Sequence, residues 1–301
     1  TIAKIGGVDN LKDWLKKRRI SFDAQASHYG LPTPRGLLLV GIQGTGKSLT
    51  AKAIATEWQL PLLKLDVGKL FGGIIGESES RLREMIELAE TISPCILWID
   101  EIDKAFTKTD SNGDSGTSNR VLATFISWLS EKTKPVFVVA TANNVELLPL
   151  EIIRKGRFDE IFFVDLPTLH ERKEIFRVHL NKRLQEPEVC GNLQLNENFL
   201  VSLAQITEGF VGAEVEQAVI SALFEAFAEN RSIESDDFSL AIKNTVPLSV
   251  TQAEQIHAIR EWANVRAVAA TSNQDRSGYD QKIEKADVDV RVSRGGRTID
   301  F

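Results

Sequence analysis

The chain has 301 residues, 43% apolar and 26% charged, with 36 Lys plus Arg against 42 Asp plus Glu for a net charge of −6. This composition excludes a disordered, collagen-like or disulfide-scaffold chain, and the length predicts about two domains with room for a sizeable core. The net acidic balance argues against a general nucleic-acid binder, because neutralising phosphates needs clustered Lys and Arg.

The chain begins at Thr1 rather than at Met, which implies an upstream segment, and residues 1–4 do not read as a signal peptide. Lys12, Lys16, Lys17, Arg18 and Arg19 read as the solvated face of a helix. From residue 36 to about 168, strand and helix patterns alternate. Five short apolar runs, 37–40, 62–65, 96–99, 136–140 and 161–164, are near-continuous, as parallel strands covered on both faces are. Between them, Leu82, Met85, Ile86 and Ala89 fall at i, i+3, i+4 and i+7, the buried stripe of a helix over 78–91. Residues 107–119, rich in Ser, Thr, Gly and Asp, read as a loop. The alternation predicts an α/β domain with a doubly wound parallel sheet over 1–168.

From residue 169 the strand signals fade. Val215, Val219, Ala222, Leu223 and Ala226 mark one face of a helix, and Ile256, Ile259 and Ala263 mark another. Ser235 reads as an N-cap, with Asp236 and Asp237 in the first turn. These features predict a second, smaller all-helical domain over 169–270. The polar tail 271–301 comes last, with a strand-like alternation over 287–292. No apolar run reaches the ~18 residues of a membrane span. Cys95 and Cys190 carry no pairing motif and read as free thiols in a reducing compartment.

The first strand runs into Gly41-Ile42-Gln43-Gly44-Thr45-Gly46-Lys47-Ser48, which fits G-x-x-x-x-G-K-[ST]. Glycines let backbone N–H groups curl around phosphate oxygens. Lys47 brings a positive charge to the outer phosphates, and the Ser48 hydroxyl suits magnesium. A helix over 47 to about 58 points its positive end at the anion. A second strand ends in Asp100-Glu101. Asp100 there suits magnesium, held through water, and Glu101 suits a general base on the attacking water.

These two motifs, together with the stretches 5–9, 140–144 and 154–159, resemble the AAA ATPase family, the ring-forming remodelling ATPases, over residues 5 to about 266. The resemblance implies ATP and Mg2+ as cofactors and a homo-hexameric ring acting on a protein client or regulator. Ile5-Gly6-Gly7-Val8-Asp9 is similar to the family's entry motif, which places Ile5, Gly6 and Gly7 beside the adenine. Gly41, Gln43, Gly44, Thr45, Gly46, Lys47, Ser48 and Leu49 then surround the phosphates. Asn143 matches the sensor asparagine that orients the lytic water. Arg154 and Arg157, in Arg-Lys-Gly-Arg-Phe-Asp, match the arginine fingers that reach a neighbouring subunit's nucleotide. His179 stands where relatives contact adenine or ribose, and Gly212-Ala213 resembles the second sensor. His170-Glu171-Arg172-Lys173-Glu174 starts like a zinc-protease motif but ends in Glu, which excludes that reading.

Two stretches depart from the family pattern. The pore loop, 70–77, carries Ile74 where relatives have an aromatic, with Phe71 three residues earlier. The Asp-Gly link before the fourth strand is replaced by Leu129-Ser130-Glu131-Lys132. The finer pattern looks most like AAA proteins encoded in cyanobacterial and algal plastid genomes, which implies cytoplasm or plastid stroma and a role in a photosynthetic cell. Two other classes compete with the ring ATPase. One is a nucleotide-gated binding module with little turnover and no threading, which the Ile74 loop and the altered link favour. The other is a DNA loader, resting on the basic run near the start of the chain.

Overall fold

A computed structural model describes residues 5, 7–22, 26, 28–71, 77–106 and 115–272. Six strands form one parallel sheet: β1 (Gly36–Gly41), β2 (Leu62–Leu65), β3 (Cys95–Ile99), β4 (Val136–Ala142), β5 (Glu160–Val164) and β6 (Val268–Ala269), in the order β2-β3-β4-β1-β5-β6. β1 lies between β4 and β5 with all six residues buried, so the carboxyl ends of β3, β4 and β1 sit side by side. In a parallel sheet of this kind, ligands bind at that edge.

Side chains alternate across each strand, and the two faces carry separate cores. Leu38, Val40, Leu97, Ile99, Val138 and Ala140 pack on one side against Leu82 of the helix Glu77–Thr91 and Val121, Phe125 and Leu129 of the helix Ser115–Glu131. Leu37, Leu39, Ile96, Trp98, Phe137 and Val139 pack on the other side, against α1 (Asp9–Arg19) and α2 (Lys47–Trp58). Apolar character on both faces is why these strands read as unbroken apolar runs. In the helix Glu77–Thr91, Leu82 and Ala89 are buried and Met85 and Ile86 half-buried, as the stripe requires.

A third cluster belongs to helices after β5, Leu169–Arg183, Glu197–Ile206, Gly212–Ala228 and Ser235–Lys243, around Phe176, Leu200, Val215, Val219 and Phe238. Two features extend the sheet domain beyond residue 168. Ile256 and Ile259 of the helix Ala253–Arg266 join the sheet's core, and Arg260 holds Asp165 in a bidentate contact at 2.8 and 3.0 Å. The next residues then add β6 to the sheet beside β5.

Local expectations are corrected in two places. Ser235 is the first residue of its helix rather than its cap; Glu234 is the cap, its N–H donating to Asp237 Oδ2 at 2.9 Å. Helix already begins at Ser115, inside the stretch expected to be a loop. Cys95 and Cys190 are both free. Among the described residues no helix is long and apolar enough to cross a membrane. The strand-like alternation over 287–292 lies outside the described residues.

Candidate functional site

The site grows from three strand ends and two helix starts. β1 delivers the loop 42–46, whose glycines hold φ of 84° at Gly44 and 86° at Gly46, a region L side chains rarely adopt. At Gly41 a Cβ would meet the Val164 carbonyl at 2.2 Å, so the adjoining strand itself demands glycine there. Gly46 caps α2 with no side-chain bond, which leaves the first-turn N–H groups aimed outward as an anion seat.

Lys47 is 5% exposed, and its ammonium donates to the carbonyls of Gly41 at 2.9 Å and Ile42 at 2.5 Å. Burial pushes its pKa down to about 8, against the pull of Asp103, Asp100 and Glu101. A phosphate arriving over the loop would meet this buried cation directly.

The end of β3 sits next to the end of β4, and the two share a hydrogen-bond chain. Ser48 and Thr141 hydroxyls both donate to Asp100 Oδ1 at 2.7 Å. The Glu101 N–H donates to Thr141 Oγ1 at 2.9 Å, fixing Glu101 in the left-handed region at φ 54°. A non-glycine residue there costs on the order of 1–3 kcal/mol, which the surrounding hydrogen bonds must offset. Asn143 Nδ2 donates to Glu101 Oε1 at 3.1 Å. Buried Asp103 fixes the turn after β4, accepting the N–H of Asn143 at 3.2 Å and of Asn144 at 2.9 Å.

These groups surround a cavity of about 310 Å³. Ile5, Gln43, Gly44, Thr45, Gly46, Lys47, Ser48, Leu49, Glu101 and Asn143 line it from the sheet domain, and His179, Gly212 and Ala213 from the helical cluster. The two sides touch: the Ala213 N–H donates to the Gly44 carbonyl at 3.0 Å. Burial lowers the His179 pKa, and its Nδ1 lies 3.0 Å from Arg183, which donates to Glu216 at 2.5 Å. The oxygen set of Ser48 and Asp100 fits magnesium, a hard cation that keeps waters and needs only one or two protein oxygens beside phosphates.

Some expected residues stand elsewhere. Gly7 packs on Glu171, where a Cβ would fall 2.1 Å from Cγ. Gly6, Ile74 and the loop 72–76 lie outside the described residues, as does the side chain of Phe71. Arg154 is exposed and Arg157 half-buried, and the structure brings neither to the cavity. Their loop is fastened at the start of β1: Arg35 and Gly36 N–H groups donate to Asp159 Oδ2 at 2.7 and 2.9 Å, and Arg35 Nη1 to the Gly156 carbonyl at 2.5 Å. That is the opposite end of β1 from the phosphate loop, a strand length of about 20 Å away.

Ile175, Val178 and Glu216 also line the cavity and no sequence motif had pointed to them, while Asp103 and Thr141 hold its strand ends by hydrogen bonds, Thr141 from within the 140–144 stretch without an assigned role. Thr141 was open to inference, because it is two residues before Asn143 in the strand beside Asp100. Glu216 carried no such signal.

Residues 37–166 match the model of the ATPase family associated with various cellular activities (AAA). The uncharacterized AAA domain-containing protein ycf46 of Trieres chinensis is 65% identical over 272 residues, 90% of this chain and 53% of that protein. The protein of the same name from Pyropia yezoensis is 58% identical over 259 residues, 86% of this chain and 51% of that one. The proteasome-activating nucleotidase of Aeropyrum pernix is 36% identical over 220 residues, 71% of this chain and 51% of that relative. The chain spans about half the length of these curated relatives.

Proposed function

The chain belongs to the AAA ATPase family, and on that premise we propose that the cavity binds ATP with magnesium and hydrolyses it. One observation carries this reading: Lys47, Ser48, Glu101 and Asn143 line a single cavity at a helix start that no side chain caps, with Ser48 bonded to Asp100 and Asn143 to Glu101. The loop N–H groups and Lys47 bind and orient the phosphates. Ser48 and Asp100 hold the metal, which when bound neutralises phosphate charge. Asn143 sets the Glu101 carboxylate, and Glu101 takes the proton of the attacking water.

Arg154 and Arg157 act on a neighbouring copy, in a ring of six. Their place a strand length from their own cavity supports a role in trans, and an arginine there is worth several orders of magnitude in rate. The work of hydrolysis goes to remodelling or regulating a protein partner. The proteasome-activating nucleotidase, by its name, acts on a protein machine, which supports a protein client here. The matching cellular place is cytoplasm or plastid stroma.

The test is complementation. Lys47→Ala is expected to lose nucleotide binding, and Arg154→Ala and Arg157→Ala to bind ATP without hydrolysing it. Mixing an arginine variant with Lys47→Ala should restore part of the activity, because each site draws on two chains. Full-rate hydrolysis by a monomer at any dilution contradicts the shared site.

A second reading, a nucleotide-gated module with little turnover, is favoured by one contact: besides Asn143, the Glu101 carboxylate is held by Lys104.

A further inference from the structure

Lys104 lies three residues after Glu101, in the 3-10 turn Ile102–Phe106. Its N–H donates to the Glu101 carbonyl at 3.0 Å, which sets its side chain over Glu101. Its ammonium pairs with Glu101 Oε2, while Asn143 Nδ2 holds Oε1. Glu101 and Asn143 line the cavity and Lys104 does not. The carboxylate is therefore held from inside by an amide and from outside by a cation.

We propose that Lys104 is a positioning residue that latches the general base, keeping Glu101 turned out of line with the attacking water until the ion pair opens. This rests on Glu101 being the base. The Glu101 backbone is pinned by Thr141, so its carboxylate moves only by side-chain rotation. A base needs an oxygen at about 2.6–3.2 Å from the water it deprotonates. With one oxygen on Asn143 and the other on Lys104, the two contacts together fix the rotation of the carboxylate, and turning it toward the water requires one of them to open. Lys104 is the weaker restraint, because its side chain is 63% exposed and exposed ion pairs contribute little. The hydrogen bond to Glu101 also raises the Lys104 pKa, so the latch stays charged through the neutral range.

The strength of an exposed pair sets the expected effect, a factor of about two to five in turnover. Lys104→Met keeps the aliphatic stem and removes the charge. It is expected to raise kcat about two- to fivefold with KM for ATP and the Kd of ADP unchanged, since Lys104 does not line the cavity. Lys104→Arg is expected to return kcat toward the starting value. A damaged fold would lower kcat, so a rise cannot come from a merely structural role.

A readout independent of turnover is the 15N signal of the Lys104 ammonium, whose proton exchange is slowed while it is held. Slow exchange in the unsubstituted chain and fast exchange in Glu101→Gln support the latch; equal exchange in both overturns it. A kcat in Lys104→Met that falls or does not change, while Glu101→Gln is inactive, overturns the latch alone. Turnover retained by Glu101→Gln overturns instead the base assignment beneath it.

Discussion

The amide of Ala213 donates to the carbonyl of Gly44 at 3.0 Å, joining the first turn of a helix in the helical cluster to the middle of the phosphate loop. The loop and the cluster therefore cannot shift independently without losing that bond.

Gly44→Ala tests this coupling. An added Cβ meets Val211 Cγ2 at 2.9 Å and Ala213 Cβ at 3.3 Å, at a backbone φ of 84°. The left-handed conformation alone costs about 1–2 kcal/mol for alanine. Affinity for ATP is expected to fall about tenfold or more, read by fluorescent-nucleotide titration. The melting temperature should fall by only a few degrees.

Glu171 ties its own helix cap to two distant stretches. Its Oε1 accepts the Val8 N–H at 2.9 Å and the Thr271 hydroxyl at 2.7 Å, and its Oε2 accepts the Thr168 N–H at 3.0 Å. At 3% exposure the carboxylate is their buried partner. Glu171→Ala leaves three buried donors unsatisfied and is expected to cost about 2–4 kcal/mol in urea unfolding. Gly7→Ala should destabilise as well, because its Cβ would occupy the space of Glu171.

Lys132 supplies a pH dependence. It follows the helix Ser115–Glu131, and its ammonium donates to the Pro34 carbonyl at 3.3 Å. Burial lowers its pKa to about 8, against the attraction of Asp159, Cys95 and Glu90 and with the repulsion of Arg35. Between pH 8 and 10.5 the folded chain holds fewer protons at this site than the unfolded one. Stability therefore rises with pH across that window. Lys132→Met removes the effect. The variant should be the more stable at pH 7, and its advantage should shrink by on the order of 2–3 kcal/mol as pH approaches 10.5. Denaturant titrations at pH 7, 8, 9 and 10 check this, and an advantage independent of pH would contradict it.

Much of the fold and the site was legible in the residues, for physical reasons that also mark where reading stops. The three central strands β1, β3 and β4 announced themselves because both of their faces are buried. The phosphate loop did so because close backbone approach restricts it to glycine at fixed positions. β6 has two residues, too short for any periodicity, and it forms only because the helix Ala253–Arg266 returns to the sheet. That helix shows why periodicity is half an answer: Ile256, Ile259 and Ala263 reveal a buried face but not the element that covers it. Glu171 was visible only as part of a failed zinc motif. Its partners Val8 and Thr271 lie 163 and 100 residues away, a separation no local pattern encodes, whereas Thr168 closes a local capping box with it. Arg154 and Arg157 matched a motif by spacing alone, and the structure leaves both away from the cavity.

Hydrolysis at this cavity with Glu101 as the base is tested most directly by separating binding from turnover in Glu101→Gln. Glutamine keeps the shape of the side chain and its contact with Asn143 but cannot take a proton from water. The expected result is ATP affinity within a few-fold of the unsubstituted chain and a kcat lower by about 100-fold or more. Hydrolysis by Glu101→Gln at the unsubstituted rate would contradict it.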